Sequence, residues 1–298
     1  MSKPKPWSEL FASLRIDAAS QRYGIVFTPR SGSTWLGELL HSSGFLGDPK
    51  EFFNQQAADY AIRQSRSNSV YAYYEYLKTY HQTQGVFGFE VAPKQLEALS
   101  VQGYGNLFDD VKTWFSLRRK DFVAQAVSLY RARHTGIYHS FQSTEAVPDA
   151  PYDASEIARI ALNVVSGERY MRQFFAQRGV TELPLWYEEV TQWPQEQTLE
   201  FFARHIGVDA REVSPSSPGV AAKSLQKLSN AASAALVTRF NEENSDFVDY
   251  WHCHRGEKTS FQFLIEQPRY AGLARSLLGE KAAQLIARSK ARVVQPQG

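Results

Sequence analysis

Arg30, Ser31, Ser33 and Thr34 crowd around Gly32 in one short turn, and each of the four side chains can donate a hydrogen bond to an anion. The turn follows an apolar run, Tyr23–Phe27, and precedes Leu36, Leu39 and Leu40 at helical spacing. That order reads as strand, tight loop and helix start. A helix N-terminus presents unpaired backbone N–H groups and the positive end of a dipole, so an anion settles there. The stretch is therefore expected to be the phosphate-binding loop of an enzyme. A nucleoside-triphosphate loop needs G-x-x-x-x-G-K-[ST]. Here no Gly-Lys pair follows, so a phosphate donor that works without a metal fits better than ATP. Further on, Gly47-Asp48-Pro49-Lys50-Glu51-Phe52-Phe53 brings an acid into play. Asp48 before Pro49 would cap a new helix, with Glu51 at its third position as a capping acid. Glu51 could equally take a proton from a substrate.

These side chains need a frame. A second strand, basic turn and helix recurs as Val111–Leu117, Arg118-Arg119-Lys120-Asp121 and Phe122–Arg133. Two such units suggest parallel strands joined by helical crossovers. Strands are also expected at 86–91 and 183–187. Helices are expected at 57–82, 94–99, 155–178, 195–206 and 223–245, with two more in 246–298. The fold class is α/β, a P-loop-like parallel sheet flanked by helices with a helical C-terminal extension. The expected layout is an N-terminal arm (1–22), a main domain (23–245) and an extension (246–298) packed on it. Loops are expected at 103–110 and 143–155, and a linker at 214–219. The tyrosines of 57–82 read as core more readily than as a sugar-binding stripe.

Composition narrows the class. With 43% hydrophobic and 21% charged residues, the 298-residue chain is globular rather than disordered. A net charge of +2 does not fit a general nucleic-acid binder, so any anion site is local. The single cysteine, Cys253, fits a reducing compartment, and its neighbours His252 and His254 lack further ligands at metal-binding spacing. No apolar run reaches the roughly 20 residues that span a bilayer. The expected location is cytoplasmic. The basic residues from Arg269 onward allow peripheral contact with the inner membrane face, although a solvated helix face accounts for them more readily.

Pro29-Arg30-Ser31-Gly32-Ser33-Thr34-Trp35 resembles the 5′-phosphosulfate loop of sulfotransferases. Combined with Gly47-Asp48-Pro49-Lys50-Glu51-Phe52-Phe53, it resembles more closely still the bacterial trehalose sulfotransferase family and its lipopolysaccharide sulfotransferase relatives. Arg119 and Ser128 match the positions that bind a 3′-phosphate in that family, and Trp186-Tyr187-Glu188-Glu189-Val190 resembles its downstream strand end. The resemblance covers roughly Tyr23 to Glu243. It implies an enzyme that moves a sulfuryl group from 3′-phosphoadenosine 5′-phosphosulfate (PAPS) to a carbohydrate or glycolipid hydroxyl, releasing 3′,5′-adenosine diphosphate and needing no metal. Arg30, Ser31, Gly32, Ser33, Thr34, Arg119 and Ser128 would hold the donor. Glu51 would be the base, Arg30 would stabilise charge in transfer, and Glu51 with Phe53 would meet the acceptor. A homodimer is implied by analogy.

One position departs from that pattern. Relatives often carry lysine where Gly88-Phe89-Glu90-Val91 places Glu90, so any help from that lysine would have to come from Lys94. Arg118 competes with Arg119 for the phosphate role. Two other readings stay open: an ATP-dependent small-molecule kinase, and a non-catalytic nucleotide-binding protein on the same fold.

Overall fold

The computed structural model describes residues 18–54, 69–138, 150–209, 231–255, 270 and 272. Among the described residues four parallel strands form one sheet: β1 (Gln21–Phe27), β2 (Val86–Val91), β3 (Thr113–Arg118) and β4 (Leu183–Trp186), in the order β2-β1-β3-β4. The helices are α1 (Ser33–Ser42), α2 (Val70–Tyr80), α3 (Pro93–Val101), α4 (Phe122–Thr135), α5 (Ala154–Arg178), α6 (Tyr187–Val190), α7 (Gln195–Ile206), α8 (Ala231–Glu243) and α9 (Ser245–His254). The α/β expectation holds.

Alternation along the strands sorts the core into two layers, because successive side chains point to opposite faces. Tyr23, Ile25 and Phe27 of β1 join Phe115 and Leu117 of β3 under α1 and α7. There Phe115 stacks on Phe202 with ring centroids 4.1 Å apart. Val26, Phe87, Phe89, Val91 and Trp114 face the other way, toward α2, α3 and α5. Tyr73, Tyr74 and Leu77 of α2 are buried in that second layer, so this part of the tyrosine stripe is core. A third cluster lies among helices, where Phe122, Ala126 and Tyr130 of α4 meet Ile157 and Ala161 of α5, with Phe240, Phe247 and Trp251 of α8 and α9. Burying a large apolar side chain stabilises by about 1.5–3 kcal/mol, so these layers hold the frame stiffly.

Element ends follow local chemistry. Asp121 caps α4 by accepting from the Ala124 N–H at 2.8 Å, and Asp153 caps α5 through the Glu156 N–H at 3.0 Å. The expected helix opening at Asp48-Pro49 is not there: residues 47–51 are irregular and 52–54 form a turn. Tertiary pairing overrides the capping signal. The Lys50 carbonyl accepts the Glu90 N–H at 2.9 Å, which lays 50–51 against the end of β2, and Asp48 pairs with Lys50 and His41. The 214–219 linker, residues 57–68 of the expected 57–82 helix, residues 143–149 of the 143–155 loop, and the chain from Arg269 onward save Tyr270 and Gly272 lie outside the described residues.

Candidate active site

All four strands run the same way, so their carboxyl ends share one edge of the sheet. From β1 the chain crosses to β2 on one side and returns to β3 on the other, which makes the β1–β3 boundary a topological switch point. In open α/β sheets ligands bind in the crevice at that point. The turns after β1 and β3 carry Arg30 and Arg119.

The turn after β1 is strained. Arg30 sits at φ 67, a region that costs a non-glycine residue about 1–2 kcal/mol. Gly32, the residue before α1, sits at φ 91, and no side chain caps the helix. A Cβ on Gly32 would stand 2.5 Å from the Tyr187 ring, so only glycine fits between the turn and α6. Ser31 is fully buried, and among the described residues its Oγ has no hydrogen-bond partner. A buried, unsatisfied hydroxyl beside an uncapped helix N-terminus is a fitting seat for an anionic oxygen. Ser33 is buried and Thr34 exposed on the first turn of α1. Gln125 of α4 fixes the turn from behind, its Nε2 donating to Thr28 Oγ1 at 2.8 Å and to the Pro29 carbonyl at 2.7 Å.

Arg30 is the junction of the two units. Its Nε donates to Ser128 Oγ on α4 at 3.0 Å, and its Nη1 donates to the Tyr138 carbonyl. Burial, and then the charge of nearby Arg119, hold the Arg30 guanidinium below its usual pKa. Two guanidinium groups near one point favour an anion between them, since it relieves their mutual repulsion and pairs with both.

The two arginines after β3 divide cleanly. Arg118 is buried, bonded to Ser116 Oγ at 3.0 Å and paired with Glu182, so it is structural. Arg119 points to the crevice, its guanidinium 5.1 Å from the Tyr187 ring centroid and its Nε 3.4 Å from Glu188 Oε1.

Glu51 reaches the same edge. It is half-buried, and Gln95 Nε2 on the first turn of α3 donates to its Oε2 at 3.3 Å. Beside it Glu90 is only 4% exposed. Burial, then the neighbouring Glu51 charge, push the Glu90 carboxyl well above the ordinary range, and the Ser33 hydroxyl pulls the other way. A Cβ on Gly37 would lie 2.9 Å from the Pro49 carbonyl and 3.1 Å from the Glu90 carboxyl, so α1 closes tightly over both. Lys94 is exposed on α3. Phe53 is 6% exposed, its ring packed on Phe108, Phe89 and Tyr73 in the core, where it anchors the Glu51 segment.

Sequence reasoning gave no role to Gln125 or Gln95, and noted Tyr187 only within the 186–190 stretch. Gln125 had a signal, since it lies three residues before Ser128 and so shares its helical face. Gln95 had none that stands out.

The chain is 26% identical over 208 residues to the trehalose 2-sulfotransferase of Mycobacterium tuberculosis (strain ATCC 35801 / TMC 107 / Erdman), covering 57% of this chain and 78% of that one. The family model for Stf0 sulphotransferase matches residues 22–243, a span that holds both turns, Glu51 and all of the described sheet but Gln21. The chain belongs to the Stf0 sulphotransferase family.

Proposed function

We propose that this sulfotransferase uses PAPS as its donor and a sugar hydroxyl as its acceptor, with Glu51 as the general base. The reading is carried by the convergence of Arg30 and Arg119 at the β1–β3 switch point, where two separate anionic groups of one donor can be held. Ser31, Gly32, Ser33 and Thr34 would hold the 5′-phosphosulfate with the N–H groups of α1. Arg119 would grip the 3′-phosphate in its fork, with Ser128 filling a remaining acceptor. The relative's name, trehalose 2-sulfotransferase, supports a trehalose-like sugar as acceptor; a glycolipid or lipopolysaccharide sugar has the same reacting group.

Glu51 takes the hydroxyl proton while the acceptor oxygen forms its bond to sulfur. The bond from sulfur to the donor's phosphate oxygen breaks, and that oxygen keeps the electron pair. Arg30 and the α1 N-terminus stabilise the charge on the leaving phosphate and on the sulfuryl oxygens in flight. Gln95 keeps Glu51 oriented at the sheet edge.

Glu51→Gln preserves size and the Gln95 contact while removing the base. Turnover with PAPS and trehalose, read by mass spectrometry of the sulfated sugar, is expected to fall roughly 10²–10⁴-fold, with affinity for 3′,5′-adenosine diphosphate unchanged. Wild-type turnover in this variant would remove Glu51 from the base role.

A further inference from the structure

The turn that carries Arg119 has its backbone held from both sides. The N–H groups of Lys120 and Asp121 donate to Glu188, at 2.8 Å to Oε2 and 3.3 Å to Oε1. The carbonyls of Arg119 and Lys120 both accept from Arg255, the latter from Nη1 at 2.6 Å. Arg255 ends α9 and lies outside the residues that the family model matches. Its Nε and Nη2 also hold Glu168 of α5, at 2.7 and 2.5 Å, and Glu168 is 1% exposed. The guanidinium carbon lies 5.5 Å from the Phe122 ring centroid and 5.7 Å from that of Trp186. Arg172 donates to the Arg255 carbonyl at 2.5 Å.

A carboxylate buried this deeply needs a fixed partner, and a planar fork is the group that can serve a carboxylate and two carbonyls together. Lysine has no such fork. The two ends of the Arg255 guanidinium thus face different duties, one to α5 and one to the turn after β3. Nothing in that geometry is needed to close the hydrophobic cluster of α8 and α9, which Phe240, Phe247 and Trp251 fill.

We infer that Arg255 and Glu168 are a positioning pair for the donor site: by fixing the carbonyls of Arg119 and Lys120, they aim the Arg119 side chain at the donor's 3′-phosphate. This rests on the reading of Arg119 given above. The pair touches no donor atom and acts through the turn alone. It makes the C-terminal helix α9 part of donor recognition, across 136 residues of chain.

Calorimetric titration of the full chain with two probes tests it: 3′,5′-adenosine diphosphate, and adenosine 5′-phosphosulfate, which lacks the 3′-phosphate. Arg255→Lys and Glu168→Gln are each expected to weaken the first by about tenfold, as losing a group that orients a ligand-contacting side chain does, and to leave the second unchanged. Arg255→Met serves as the stricter variant, and circular dichroism selects the variants that keep the wild-type fold. An equal loss for both probes, or none for either, in a folded variant overturns the inference. Arg119→Met separates the two layers: if it keeps full preference for the probe with the 3′-phosphate, the Arg119 reading itself is overturned, and the inference with it.

Discussion

After β1 the chain passes through Arg30 at φ 67 and Gly32 at φ 91, and leaves the Ser31 hydroxyl buried without a partner among the described residues. After β3 the turn at Arg119–Asp121 meets four hydrogen bonds from its neighbours, two from Arg255 and two to Glu188. The first turn keeps backbone and hydroxyl donors in reserve and is strained; the second satisfies its backbone and offers one long side chain. Both lie at the carboxyl edge of the same sheet, and both precede a helix. The difference teaches how one fold builds two kinds of anion seat. A backbone cradle is rigid and selects shape, whereas a guanidinium on a braced turn selects charge and planarity.

The comparison breaks most readily at Gly32. A Gly32→Ala methyl would meet the Tyr187 ring at 2.5 Å while adopting a left-handed backbone. Strain and overpacking together are expected to cost about 2–5 kcal/mol, divided between a lower unfolding temperature and lost affinity for 3′,5′-adenosine diphosphate. Unchanged affinity in this variant would show that the cradle does not depend on its backbone shape.

A smaller effect concerns Glu90, which packs beside the cradle. Its raised pKa means that the folded protein keeps a proton that the unfolded chain releases near 4.5. Its contribution to stability is therefore full below about pH 4.5 and is lost as pH rises through the folded-state pKa. Glu90→Gln removes that dependence. Its unfolding temperature should exceed the wild type's at pH 8, and the gap should close toward pH 4. A gap that widens as pH falls would mean that Glu90 is ionised in the fold.

Much of this was readable before any coordinates. The strand, loop and helix of 21–42, the paired unit after β3 and the strand at 86–91 follow from apolar periodicity and turn chemistry, which are local. The Asp48-Pro49 helix was a local signal that lost to a long-range one, the Glu90 N–H on the Lys50 carbonyl. That the turn at 52–54 sends the Phe53 ring into the core was not legible, because its partners Phe89 and Phe108 lie far along the chain. Arg118 and Arg119 could be told apart only once β3 showed which of them lies in the sheet. The Arg255–Glu168 pair lies beyond sequence reading altogether, because its partners are 87 residues apart and neither sits in a patterned motif.

Arg119 carries the contrast between the two seats, so titration of 3′,5′-adenosine diphosphate into the wild type and Arg119→Met tests it most directly. Arg119→Met is expected to bind about 10- to 150-fold more weakly, the worth of a charge-assisted hydrogen bond of about 1.5–3 kcal/mol, at an unchanged unfolding temperature. Wild-type affinity in Arg119→Met would contradict a second phosphate seat at the turn after β3.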